Sequence, residues 1–364
     1  MHHRILAAVT IAAAALAIVG PGAVAASSDH AGTVYIETNA ASGNAVAAYQ
    51  RHADGTLTWS ANYPTGGNGT GAGLASQGSI ALSADGRTLL AVNAGSNDVS
   101  AFAVGPDGSL HLVSRAPAGG TDPISVTIHG HLVYVLDAGG SGNIAGLFSF
   151  GGHLSAVPGW TRPLSGAGTS PEQIAFSPDG RVLVVTEKGA NEIVTYRVGW
   201  FGRAGAPDVQ TSAGAAPYGF AFDGRGRLFV SEAATSALSS YRIGQSRDLT
   251  TLSASVVNGQ LAACWVAVTP SGREAYTIDA HSSTISSYAI HADGSITLDQ
   301  GLAASTGGGT APLDASVSSD GRDLYVLLSA TQQISTFAIG AHGTLTPIWT
   351  VSAPFAGLSG LVAR

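Results

Sequence analysis

The chain has 364 residues, of which only 11% are charged, with 16 Lys and Arg against 23 Asp and Glu and a net charge of −7. So few basic groups exclude a nucleic-acid surface and argue against attachment to an acidic membrane. A single cysteine, Cys264, excludes an internal disulfide, so stability must come from the core that a chain of this length can bury.

The N-terminus opens with His2, His3 and Arg4, then an apolar run over residues 5–19, then Gly20, Pro21 and the small-residue stretch Ala23-Val24-Ala25. This is the pattern of a secretory signal peptide, with cleavage expected after Ala25. The run is shorter than the roughly 20 residues of a spanning helix. Residues 26–31 read as a short linker. The mature protein is expected to be secreted or periplasmic, without a membrane anchor.

From residue 32 onward one pattern recurs: a polar residue, an apolar residue two positions on, and an aromatic three beyond that. It occurs at Asn44-Val46-Tyr49, Asn97-Val99-Phe102, Asn143-Ala145-Phe148 (slightly displaced), Asn191-Ile193-Tyr196, Ser236-Leu238-Tyr241, Ser283-Ile285-Tyr288 and Gln332-Ile334-Phe337. Successive copies start 45 to 53 residues apart. Each sits in a longer unit. A short apolar segment such as "QIAFS" leads to a turn, "ADGR", "PDGR", "PSGR" or "SDGR", and then to a β-prone run such as "VLVVT". After the aromatic-ended run a second turn, "DGTL" or "DGSL", opens a last strand. Asp-Gly between alternating runs signals hairpins, because glycine supplies the positive φ those turns need.

Four short antiparallel strands repeated every 47 residues or so predict one all-β domain over 32–364, a seven-bladed β-propeller. The approximate repeats are 32–78, 79–123, 124–171, 172–217, 218–263, 264–312 and 313–360. The first repeat starts at what corresponds to the second strand of a blade, whereas the chain ends on "GLSGLVAR". Residues 357–364 are therefore expected to supply the innermost strand of the first blade and close the ring. A closed ring offers little free strand edge, so a monomer is expected. "GGNGTGAG" (66–73) mimics a phosphate loop, but no helix follows it, and it reads as a flexible link into the second blade. Asn68-Gly69-Thr70 fits a glycosylation sequon.

The "SxDGR" turns followed by "LLAVN", "VLVVTE" or "LYVLL", with a second "DGSL" or "DGTL" turn per unit, resemble the seven-bladed lactonase propellers. That family includes bacterial 6-phosphogluconolactonases and fungal carboxy-muconate lactonising enzymes. The resemblance spans 32–364 and implies lactone hydrolysis or isomerisation at the central channel. A second resemblance is to secreted propellers with "YVTN"-type repeats, which often bind rather than catalyse. The regular extra "DGSL" strand favours the first. The phosphogluconolactonases' Gly-Pro-Arg-His motif corresponds here to "AAPYGFAFD" (215–223), with Tyr218 and Gly219 in place of Arg and His. Their His-rich approach to another blade corresponds to "SPEQIAFS". A cationic phosphosugar site is thus unsupported.

In a propeller, the links that lead into the first strands share a face with the loops that leave the second strands. Two sets of residues should gather there around the channel mouth. One ends the second strands: Asn39, Asn93, Asp137, Glu187, Glu232, Asp279 and Ser329. The other leads into the first strands: Asp122, Glu172, Gln173, Tyr218, Cys264, Trp265 and Asp314. Together they make an acidic mouth. In a lactonase reading, Glu187 or Glu232 would activate water and Tyr218 or Gln173 would polarise the carbonyl. Asn93, Asp137, Glu172, Asp279, His281, Trp265 and Asp314 would contact the lactone or carbohydrate. No cofactor is required; Ca²⁺ is the cation that such all-oxygen ligands would suit. The rival reading makes each Asp and Asn a turn-shaping group, His281 a solvated loop residue and Cys264 a packing residue. The protein would then be a non-catalytic propeller that binds a sugar, a metal ion or a protein.

Overall fold

The computed structural model describes residues 30–244 and 248–364, so the expected signal peptide and most of the linker lie outside the described residues. Seven antiparallel sheets form the fold, six built from consecutive strands. The seventh combines three strands from His30 to Pro64 with the C-terminal strand Ser359–Ala363. The C-terminal strand runs antiparallel to His30–Glu37, with Tyr35 opposite Val362 and Ile36 opposite Leu361. The innermost strands contact one another around a complete ring. The expected propeller and its closure by the C-terminal strand are both present. Among the described residues the only helical element is a single 3₁₀ turn, Ala341–Gly343.

Three blades share the same turn chemistry between their two innermost strands. In "SPDGR", Ser177 Oγ donates to Asp179 Oδ1, which also accepts from Arg181 N, and Gly180 takes a φ of 70°. Ser83 with Asp85 and Ser318 with Asp320 repeat the motif. The Asp builds the turn and the glycine completes it.

The recurring polar residue also has a structural cause. Asn97, Asn191, Ser236, Ser283 and Gln332 all have φ between 49° and 61°, the left-handed region that β-branched and bulky residues avoid. Three of them reach forward to the next blade. Asn97 Oδ1 accepts from Asp122 N, Asn191 Oδ1 from Ala216 N, and Ser236 Oγ from Ala262 N. One side chain thus turns its own strand and fixes the start of the next blade.

The displaced third repeat is a one-residue offset. Gly142 takes the positive φ there, and Leu147, not Phe148, fills the buried position opposite Val133. Phe148 points outward against Trp160, their rings 5.1 Å apart. The outer strand of this blade is split into His153–Ala156 and Arg162–Pro163. The aromatic residues of the other six repeats are all buried and pack between blades.

The expected flexible link at 66–73 is ordered instead. Gly69 N donates to Ala40 O, Gly71 N to Asn39 O, and the Asn39 amide holds Thr70 and Ala72. A Cβ on Gly69 would lie 2.2 Å from the Asn39 backbone, so the glycines serve close packing.

The seam between the first and last blades is fastened further. Arg51, 1% exposed, pairs with Asp320 and Asp323 at 2.8 Å and donates to the Tyr325 hydroxyl. Asp314 Oδ2 accepts from Leu361 N, and Ser316 Oγ accepts from Ala363 N.

Candidate functional site

The innermost strands start with a shared irregularity. Registers shift between Pro123 and Ser125, Pro171 and Gln173, Pro217 and Phe220, Ala263 and Trp265, and Leu313 and Ala315. Each is a β-bulge, which leaves a residue unpaired and re-aims its side chain. The residues so released are Ile124, Glu172, Tyr218 with Gly219, Cys264 and Asp314. Prolines begin four of these strands, where no ladder hydrogen bond is required of them.

Three of the released residues, Glu172, Tyr218 and Cys264, gather with Lys188 and Trp265. Lys188 Nζ lies 2.5 Å from Glu172 Oε1 and 5.0 Å from the centre of the Tyr218 ring. The Tyr218 ring meets the Trp265 indole edge-on, with centroids 5.3 Å apart. Glu172, Tyr218, Trp265 and Cys264 are buried, while the Lys188 side chain is 36% exposed and is the solvent-facing member. Burial pushes the Glu172 carboxyl up to about 7, against the opposing pull of Lys188 and the Tyr218 hydroxyl. Burial likewise pushes the Cys264 thiol up to about 12, so it stays protonated at neutral pH.

A segment absent from the sequence expectations meets this group. The innermost strand of the second blade is only Ile80–Leu82, and the residues before it extend across the channel. The Tyr218 hydroxyl donates to Ala75 O, Trp265 Nε1 donates to Ser76 O, and Ser76 Oγ donates to Ile124 O. Gln77 N donates to Glu172 O. The Gln77 amide pairs with both backbone groups of Val266, at 2.8 and 3.1 Å. Residues 75–77 therefore touch the inner strands of blades three, four, five and six. Asp314 accepts from the backbone of Gly78, Ala315 and Leu361, and burial raises its carboxyl to about 7. Gln173 bridges blades in the way Gln77 does, with Oε1 accepting from Phe220 N and Nε2 donating to Phe220 O.

The second-strand set lies elsewhere. Its equivalent positions are Thr38, Asn93, Asp137, Glu187, Glu232, Asp279 and Leu328, so Asn39 and Ser329 fall one residue beyond. The polar members are buried, and their side chains bind the links and strands of their own and the preceding blade. Glu187 accepts from Ser165 N and Oγ, and Glu232 from Ser239, Ser255 and Thr235. Asp279 accepts from Asn258, Thr277, Ser286 and Thr284. Asn93 accepts from Asn44 and Thr65, and Asp137 accepts from Asn143. Burial raises Asp137 and Asp279 to about 7 and also moves Glu187 upward. His281 is exposed on its loop, with its backbone N–H bonded to Leu261 O. Among the described residues no three His, Cys, Asp or Glu side chains gather as a metal site.

The sequence reading thus named Glu172, Tyr218, Trp265 and Cys264 but missed Lys188 and the 75–77 segment. Lys188 is the only lysine in the chain and directly follows a second-strand end, and those two facts together were the available signal. Nothing in "LASQG" marks a segment that crosses a channel.

A family model described as lactonase, 7-bladed β-propeller, matches residues 34–150 and 152–264. No curated protein matches the chain. Among solved structures, a candidate 6-phosphogluconolactonase of Bacteroides fragilis NCTC 9343 is 19% identical, covering 93% of this chain and 99% of its own, with a TM-score of 0.73. The periplasmic gluconolactonase of Pseudomonas aeruginosa is 17% identical over 91% of this chain and 98% of its own, with a TM-score of 0.71. A protein from Lactobacillus plantarum is 19% identical over 92% and 99%, with a TM-score of 0.73. At these identities the likeness is one of fold.

Proposed function

The chain belongs to the lactonase family of seven-bladed β-propellers, and on that premise we propose that it hydrolyses an uncharged lactone beside Glu172 and Lys188. The observation that carries this reading is the 2.5 Å pair of a buried carboxylate and a half-exposed ammonium on a bulge at the channel mouth. A carboxyl raised to about 7 is a base poised near neutrality. In its ionised form Glu172 takes a proton from water as the water oxygen bonds to the lactone carbonyl carbon. Lys188 stabilises the oxyanion that develops there. Collapse of the adduct breaks the ring C–O bond, and Glu172 returns the proton to the departing alkoxide, giving a hydroxy acid. Glu187 and Glu232 are less suited as the base, because their oxygens are already engaged by serines and a threonine. Tyr218 is better placed to hold residues 75–77 than to polarise a carbonyl.

The test is pH-stat turnover on a panel of uncharged five- and six-membered lactones by the native chain and by Glu172→Gln. Turnover by the native chain that falls at least a hundredfold in the variant supports the reading. No turnover by either protein, or equal turnover by both, overturns it.

A second reading rests on residues 75–77, which occupy the channel beside the candidate site. In that case the propeller is non-catalytic and binds a sugar, a metal ion such as Ca²⁺ or a protein at the same mouth. Absence of lactone turnover together with a calcium-dependent rise in Tm would favour it. The leader-like residues 1–25 support export to the periplasm or the medium. No helix among the described residues is long and apolar enough to cross a membrane.

A further inference from the structure

The face away from Glu172, built from the hairpin turns, carries an unassigned groove. Two adjoining hollows of about 700 and 1070 Å³ run beneath blades four to six and share Arg225. Arg181, Arg197, Arg225, Arg227 and Arg273 line them. In a chain with 16 basic residues and a net charge of −7, this is a pronounced concentration. Arg227 is held in place by Asp223 at 2.5 Å and by the carbonyls of His291 and Ala292. The other four are exposed. The lining carboxylates are committed elsewhere. Asp179 caps its own turn, and Glu274 accepts from Thr269 and Ser271. Among the described residues, the Arg181–Asp179 ion pair between exposed side chains in the groove is loose at 3.8 Å and leaves Arg181 84% exposed.

Arg181, Arg225 and Arg273 come from the same turn in three successive blades, so the ring itself spaces the charges. At one end of the row stands Trp200, fully exposed on the outer turn of blade four, followed by Phe201 at 87% exposure. Together the two adjacent rings make an exposed aromatic patch, the kind of surface that marks a contact site.

We propose that this groove binds an anionic polysaccharide, its carboxylate or sulfate groups paired with the arginine row and a sugar ring stacked on Trp200. Guanidinium forks match carboxylates and sulfates bidentately, and the amphipathic indole suits the apolar face of a sugar. A concave row favours a chain over a flat bilayer. The groove lies on the opposite face from Glu172, and the proposal does not depend on lactone hydrolysis.

The experiment uses calorimetry and tryptophan fluorescence with three hexasaccharides: galacturonate, sulfated heparin and neutral cello-oligosaccharide. Vesicles of phosphatidylglycerol and phosphatidylcholine form a fourth arm. The native chain should bind at least one anionic hexasaccharide, more weakly as salt rises, and ignore the neutral one. Arg181→Gln with Arg225→Gln, and separately Trp200→Ala, should each weaken binding at least tenfold. All three side chains are exposed, so an unchanged Tm should accompany the loss. The proposal is overturned if neither anionic hexasaccharide binds or if the variants bind as the native chain does. Binding to the anionic vesicles alone would also overturn it and would assign the face to a membrane.

Discussion

Glu172 and Glu187 stand on one hairpin, and both are buried, yet their surroundings separate them. Glu187 lies in a regular ladder opposite Glu192 and spends its oxygens on Ser165. Glu172 sits in the bulge that opens an innermost strand and meets Lys188. Sequence spacing brought both to the same face but could not tell them apart, because a bulge one residue long leaves no compositional mark. The recurring polar residue was legible as a repeat, whereas its cause, a left-handed backbone plus a hydrogen bond to the next blade, exists only in the folded ring. Asn191→Ala should therefore lose about 2 kcal/mol in urea unfolding, combining the left-handed strain with one lost hydrogen bond. Asn191→Gly, which relieves the strain, should lose only about 1 kcal/mol. Equal losses would refute that division.

At the scale of elements, the hairpins, the four-stranded unit and ring closure all followed from the period and the Asp-Gly turns. Turn chemistry is local, so sequence carries it. The segment 75–77 was not legible, since its partners Val266 and Trp265 lie 189 residues away and are met only when the ring closes. Gln77→Leu removes both hydrogen bonds to Val266 and leaves its buried backbone groups unpaired. A loss of about 2–3 kcal/mol is expected from chemical denaturation. Removal of residues 359–364 leaves the His30–Glu37 strand without its inner partner and uncovers Val34 and Ile36, which pack in one cluster with Leu361. Loss of a cooperative melt is the expected outcome by calorimetry. A truncated chain that melts like the parent would show that the closing strand contributes little.

For the whole molecule, the buried carboxyls set a pH dependence opposite to that of ordinary ion-paired acids. Burial raises Glu37 to about 8 and Asp137, Glu172, Asp279 and Asp314 to about 7. Between their unfolded values near 4 and these folded values, the folded chain holds more protons than the unfolded one. Stability should then fall as pH rises through that window. Below it, the turn carboxylates Asp54, Asp85, Asp179 and Asp293, all held below the ordinary range, would lose their stabilisation. Tm should therefore peak near pH 4, at the lower edge of that window, and be lower at pH 8; a Tm that rises steadily from pH 5 to 8 would contradict this. The family and its fold were readable from the whole-chain pattern. The chemistry rests on a few side chains whose convergence only the closed ring reveals. The most direct test of the functional account is the pH profile of kcat/KM for an uncharged lactone. The account predicts a rate that climbs as Glu172 ionises, reaches half its maximum near pH 7, and falls at least a hundredfold in Glu172→Gln. A profile flat through pH 7, or one retained by Glu172→Gln, would contradict it.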